Sequence, residues 1–193
     1  MRGHSATDPD KGEAILGAAR DLFVERGFYG TSVPSVAERA GVAAGTIYHY
    51  FDSKEALVNA LFKRWKAEIS SRVLNGFPFD RSPREQFRTC WERMADFALA
   101  HPKELAFLEL HHHGSYLDAE SHAIEHQILD FGVEMVKRAQ QAEALKPLSA
   151  TLLMELANGA FLGVFRAGIE GRMPLDKATF IDAERCCWEA LRA

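Results

Sequence analysis

Residues 32–57, SVPSVAERAGVAAGTIYHYFDSKEAL, dictate a sharp turn between two short helices and the start of a third. Ala37 offers a small side chain where two helices cross, and Gly41 sits where a helix must end in a left-handed backbone conformation that glycine adopts without steric cost. Val42 fills the angle between the helices, while Val36, Ala40, Ile47 and Tyr50 fall on inward faces at helical spacing. What remains outward on the second helix is Ala43, Ala44, Thr46, Tyr48 and His49, a face without a carboxylate, as a surface laid against phosphates requires. Pro34 falls in the first turn of the preceding helix, where its missing N–H is not needed, with Thr31 or Ser32 as the N-cap. Asp52 and Glu55, three apart, make a capping-box-like start for the third helix. The layout is that of a helix-turn-helix followed by its support helix.

The run GVAAGTIYHYFDSKEAL resembles the signature of the tetracycline-repressor (TetR) family of bacterial transcription regulators. In that family a glycine and valine end the turn, a Gly-Thr-aliphatic-Tyr core forms the recognition helix, and an aromatic followed by Lys-Glu opens the support helix. Upstream, KGEAILGAARDLFVERGFYGTSV resembles the family's first helix and the link behind it. The match covers roughly residues 11–62, and beyond it the resemblance is to an all-helical architecture. It implies a helix-turn-helix DNA-binding domain of three helices over 11–52 and a ligand-binding and dimerisation domain over 53–193, entered by a connecting helix over 53–74, while the polar start over 1–10, without a hydrophobic core of its own, reads as a loose tail. It also implies that Thr31, Ser32, Ser35, Tyr48, His49, Tyr50 and Lys54 stand at backbone-contact positions on double-stranded DNA. The residues after Val42 are commonly polar or basic in the family, and here they are Ala43 and Ala44. Base reading therefore falls to apolar contact of Ala43, Ala44 and the Thr46 methyl with thymine methyl groups, and to close backbone approach at Gly45.

At 193 residues the chain can bury a large core in one or two domains. Its hydrophobic content is 47%, and no apolar run approaches the length expected of a bilayer span. Cys90, Cys186 and Cys187 form no CxxC spacing, which argues against a disulfide framework and for a reducing cytoplasm. The net charge of −4 is unevenly spread: residues 1–66 hold 9 Lys and Arg against 8 Asp and Glu, and residues 67–193 hold 14 against 19. The acidity belongs to the second part, and the long-range pull of the reader on DNA is modest.

After the reader the pattern is all-α, about nine helices in total with no convincing strand. Helices are expected over 53–74, 82–100, 103–113, 118–144 and 149–169, with a last one opened by Pro174 and Asp176. Residues 149–169 are nearly apolar all round, the mark of a buried helix. They are also rich in small residues, Ala157, Gly163 and Ala167 among them, which suit close backbone approach. With the final stripe of Phe180, Ala183, Cys187 and Leu191 and a symmetry mate they would form a four-helix dimer interface, as in the resembled family. The alternative is that both helices bury their apolar faces within one subunit. A homodimer would set two recognition helices about 34 Å apart on a palindromic operator.

Trp91, Met94, Phe97, Phe107, Phe131 and Phe161 stand on helices that must converge, the usual setting of a small-molecule pocket, although an aromatic stripe is also what plain core looks like. With His111 or His112, Cys90 or Glu109 as polar handles, such a pocket suits a hydrophobic or aromatic effector that releases a repressor from its operator. The rival feature is the histidine cluster: His122 and His126 share a helix face and, with His111, are the alternative metal ligands of a metal-responsive regulator or metal-dependent enzyme. No Gly-rich phosphate loop, nucleophile elbow or HExxH pattern accompanies it, so neither an enzyme nor a cofactor is expected.

Overall fold

The computed structural model describes residues 9–109 and 114–193. Among these, the chain forms α1 (Pro9–Arg26), α2 (Val33–Ala40), α3 (Ala44–Ile47), α4 (Lys54–Leu74), α5 (Pro83–Ala100), α6 (Pro102–Glu109), α7 (Ala119–Gln141), α8 (Ala150–Ile169) and α9 (Lys177–Leu191). The one departure from helical pairing among them is an isolated antiparallel bridge between Leu145 and Arg192.

The helix boundaries follow from side-chain caps. Ser32 caps α2 by accepting from the Ser35 N–H, and the Ser35 hydroxyl oxygen accepts from the Ser32 N–H in return, so two otherwise orphan donors are satisfied. Gly41 ends α2 at φ 70°, with its N–H turned to the Ala37 and Glu38 carbonyls. The cap of α4 is Ser53, which accepts from the Ala56 N–H at 3.1 Å, and not Asp52 as the Asp52–Glu55 spacing suggested. Ser82 with Glu85, Asp118, Ser149 and Asp176 cap α5, α7, α8 and α9. At the far end of α4 the Arg93 guanidinium donates to the carbonyls of Val73, Asn75 and Gly76, placing a cation where the helix dipole is negative.

Two apolar cores result. The first joins Ile15, Leu22 and Phe23 of α1 to Val36 and Ala37 of α2, Ile47 of α3, and Leu57, Val58, Leu61 and Phe62 of α4. Phe107 and Leu108 of α6 complete it, so the reader's core does not end at residue 52. The second core gathers α5, α8 and α9 around Trp91, Phe97, Phe161, Phe165 and Phe180, with Ile69 and Val73 of α4 and Leu105 and Ala106 of α6. Val24 and Trp65 pack against both cores. Charge pairs hold α6 at each end: Glu104 meets Arg20, Lys103 lies 3.3 Å from Asp21, and Glu109 accepts from Lys66 at 2.7 Å.

The expectation of a wholly buried helix over 149–169 fails within a single protomer. One side of α8 packs on α7 and α9 through Leu153, Phe161 and Phe165, while Leu152 and Leu156 remain about half exposed. At 20 residues and a mean hydropathy of 1.3, α8 is also the one described helix long and apolar enough to cross a membrane by composition, contrary to the sequence reading. Its contacts with α7 and α9 use only part of that apolarity, since 22% of the apolar stretch is buried within the protomer.

Candidate nucleic-acid interface

The turn between α2 and α3 works as its residues dictate. Ala37 is buried at the crossing, Val36 and Ile47 are fully buried beneath it, and Ala40, Val42 and Tyr50 pack on the same core. Ala43, Ala44, Gly45, Tyr48 and His49 stay exposed on the outer side of α3, with Thr46 half-buried. That face carries no carboxylate, lysine or arginine. It is small enough, at Ala43, Ala44 and Gly45, for close approach of a groove floor. Ser32 is exposed and Ser35 half-buried at the capped start of α2, next to the same face.

Two of the expected phosphate contacts have other employment. Thr31 is buried, and its hydroxyl donates to the Leu22 and Gly27 carbonyls at 3.1 and 2.8 Å. The Lys54 ammonium donates to the Phe28 and Thr31 carbonyls at 2.8 and 3.0 Å, and it lies 3.9 Å from the centre of the Phe28 ring. A lysine with two carbonyls and a ring is tied to the turn between α1 and α2 through two of its three donors. Arg39 is likewise engaged, forked onto Glu25 with both bonds at 2.9 Å, and this pairing holds the Glu25 carboxyl below its ordinary range. The reading surface is thus close to neutral, and it offers hydroxyls, backbone N–H groups and apolar side chains.

Sequence reasoning had no sign of what supports this surface from the second part of the chain. The Tyr116 ring stacks on Phe28 at 4.0 Å and 15°. Asn59, buried in α4, donates to the Glu55 and Tyr116 carbonyls and accepts from the Asp118 N–H and the Ser121 hydroxyl, all at 2.8–2.9 Å. Glu55 aside, these partners lie some sixty to ninety positions apart, and no local pattern announces them.

The expected effector residues are dispersed. Trp91, Phe97 and Phe161 are buried in the second core, with Cys90 and Met94 packed against it. Trp91 donates its indole N–H to the Phe180 carbonyl at 2.9 Å and meets Phe161 edge-on at 5.3 Å, so these rings fill the space between them. Burial pushes the Cys90 thiol up to about 11. Phe107 belongs to the other core, 6.1 Å from Phe23, and is not a wall of a bundle pocket. Phe131 lies half-buried on α7, edge-on to Phe79. A cleft of about 180 Å³ opens between α5 and α9, floored by Trp91, Ala95 and Phe180 and rimmed by Arg84, Arg88, Glu92, Lys177, Glu184 and Arg185. His111 and its two histidine neighbours lie outside the described residues. His122 and His126 do share a face, ring centres 6.4 Å apart, yet no three His, Cys, Asp or Glu side chains among the described residues are gathered closely enough to hold a metal.

The expected dimer residues divide in the same way. Gly163 is exposed on α8, and Ala157 and Ala183 are half-buried. Phe180, Cys187, Leu191 and Ala167 are buried inside the protomer, because the apolar stripe of α9 faces α5 and α8. Their side chains are therefore not a surface offered to a second subunit.

The architecture and its parts have relatives. Residues 15–61 match the model of bacterial regulatory proteins of the tetR family, and residues 62–193 match that of the tetracyclin repressor-like C-terminal domain. The regulator UidR of Escherichia coli K12 is 45% identical over 47 residues, 24% of each chain, so this chain spans about a quarter of the length of the curated relatives it matches first. Among solved structures, a TetR-family transcription regulator from Shewanella sp. PV-4 superposes with a TM-score of 0.78 at 28% identity, covering 95% of this chain and 98% of that one. AibR, solved with isovaleryl coenzyme A and operator DNA, has the same fold with a TM-score of 0.74 at 23% identity, covering 94% and 97%. With a family model matched over 62–193 and a helix-turn-helix whose reading face stands open, the chain belongs to the TetR family of helix-turn-helix transcription regulators.

Proposed function

We propose that the protein is a cytoplasmic, homodimeric repressor that binds a palindromic operator through α3 and leaves it when a hydrophobic or aromatic small molecule binds the helical bundle. The observation that carries the DNA reading is the exposed, carboxylate-free face of α3 beside the capped start of α2. Half-sites would be read through thymine methyl groups and groove shape, since Ala43, Ala44 and Thr46 cannot make the bidentate guanine contact of an arginine.

Dimerisation is supported by the uncovered side of α8, where Leu152, Leu156 and Gly163 lie exposed. A Cβ added at Gly163 would meet nothing within 4 Å in the protomer. Gly163→Leu should therefore leave the fold intact and shift sedimentation from dimer to monomer, and a dimer unchanged by both Gly163→Leu and Leu156→Arg would place the interface elsewhere.

Effector control is supported by the aromatic bundle and by the fold shared with AibR, a protein that was solved holding both a coenzyme A thioester and DNA. Wherever an effector enters the bundle, it can release DNA only by favouring a geometry that DNA disfavours. The test is to select duplexes from a random pool with the purified protein, then screen apolar and aromatic compounds for release of the selected duplex. Selection of no salt-sensitive duplex would overturn the DNA reading. Phe131→Ala should abolish release by an effector found this way while leaving DNA binding unchanged, and a full response would take Phe131 out of its site.

A further inference from the structure

The turn joining α1 to α2 is held far more tightly than its role as a link requires. Gly27 ends α1 at φ 69° with its N–H on the Phe23 carbonyl, and a Cβ at Gly30 would collide with the Arg26 carbonyl oxygen. Thr31 is tied back to α1 through its hydroxyl and to Phe28 through its N–H at 3.2 Å. Phe28 itself is gripped by the Lys54 ammonium and by the Tyr116 ring. Three separate parts of the chain, α1, Lys54 and Tyr116, fix five residues, and at the apex of these five stands Tyr29, 86% exposed, touching Phe28 edge-on at 5.4 Å.

A rigid backbone that holds a large aromatic out in water forgoes the burial that such a ring would otherwise gain. The surroundings say what it faces. From Gly27 to Ala37 there is no carboxylate, and the nearest on the α1 side, Glu25, is paired with Arg39. Ser32, the N-cap of α2, is three residues on, no more than about 10 Å of backbone away, and successive phosphates on one strand rise by about 3.4 Å along the duplex axis. A phenol brings an uncharged O–H donor and a flat apolar ring, which suit a phosphate oxygen and the adjoining sugar.

We propose that the α1–α2 turn is a second DNA-contacting element, in which Tyr29 meets the sugar-phosphate backbone flanking the groove that α3 enters. Tyr116 is a positioning residue for this contact: by stacking on Phe28 it lets the segment after α6 set where Tyr29 stands. The inference rests on the DNA-binding reading above and names a contact beyond the helix-turn-helix itself.

The experiment uses the full chain and the duplex selected by the wild-type protein, with affinity measured at several salt concentrations and the complex footprinted by hydroxyl radicals. Tyr29→Ala should bind about 5- to 20-fold more weakly and Tyr29→Phe about threefold, with melting temperatures unchanged. The salt slope should stay the same, because the group removed is uncharged. Protection at the backbone flanking each half-site should vanish in Tyr29→Ala while protection within the half-sites persists. Tyr116→Ala should lose the same flanking protection, and Tyr116→Phe should restore it. Wild-type affinity together with an unchanged footprint in Tyr29→Ala overturns the proposal even though the protein binds DNA. A wild-type protein that selects no duplex overturns the DNA-binding reading itself.

Discussion

Lys54 and Phe28 form the joint on which the reader turns: the ammonium sits 3.9 Å from the ring centre while donating to the carbonyl of the same residue at 2.8 Å. A lysine at the start of a support helix is easily taken for a phosphate clamp. Here its charge is spent locally, holding a turn that begins at the end of α1 and delivers the N-cap of α2.

Lys54→Ala is accordingly expected to act on stability, losing about 1–3 kcal/mol for the two hydrogen bonds and the cation–π contact. Urea denaturation would measure this, and operator affinity at several salt concentrations would separate it from phosphate binding. A slope reduced by about one counterion would return Lys54 to the DNA interface.

Asn59 is the polar centre of the contact between α4 and the start of α7. Asn59→Ala removes two donors and an acceptor at once and strands the Tyr116 carbonyl, the Asp118 N–H and the Ser121 hydroxyl in a buried setting. The expected cost is about 2–4 kcal/mol in chemical denaturation. A loss under 1 kcal/mol would mean that solvent reaches the site.

Two glycines of the reader should respond in opposite ways. Gly30→Ala forces a methyl group into the Arg26 carbonyl and should lower the melting temperature by several degrees, since roughly 1 kcal/mol corresponds to a shift of about 2–4 °C in a chain of this length. Gly45→Ala meets no neighbour within 4 Å, so the fold should tolerate it. If Gly45 lets the backbone approach the bases, operator affinity should fall at unchanged stability, and full affinity in Gly45→Ala would discard that role.

The acid limb of the stability curve should carry the mark of Asp118. The Ser121 N–H, donating at 2.8 Å, holds its carboxyl below the ordinary 3.8, and the nearby Lys63 acts in the same direction. A carboxyl lowered in the folded state contributes stability that is complete above its unfolded value and is lost as pH falls through the folded one. Asp118→Asn keeps the cap but does not titrate, so it should melt below the wild type at pH 7, with the gap closing as pH drops below 3.8. A gap independent of pH would show that the charge contributes nothing.

The contrast between Gly41 and the α9 stripe shows what local chemistry can reveal. Gly41, Ser82 with Glu85, and Asp176 announce helix ends because each acts on backbone within four residues of itself. The outward face of α3 was legible for the same reason, through spacing alone. Phe180, Cys187 and Leu191 also show their spacing plainly, but spacing says only that a stripe is apolar and not whether the neighbour belongs to the same protomer. Phe107 was misplaced because α6 is so short that successive residues serve different cores. The partners of Lys54 and Thr31 are hidden from the sequence because the carbonyls they bind belong to a turn whose shape no single residue encodes.

The two turns of α6 have a practical consequence for exchanging parts between relatives. A graft of residues 1–52 onto another bundle would arrive without Leu57, Leu61 and Phe62 of α4, without the Phe107–Leu108 step, and without the tyrosine that stacks on Phe28. Such a chimera would expose the inner side of the reader to water and melt it first. A transplantable module is discontinuous: it needs α1 to α4 together with α6 and residues 114–118 from the same parent, so that the stretch inherited with the DNA contacts includes part of what the sequence assigns to the other domain.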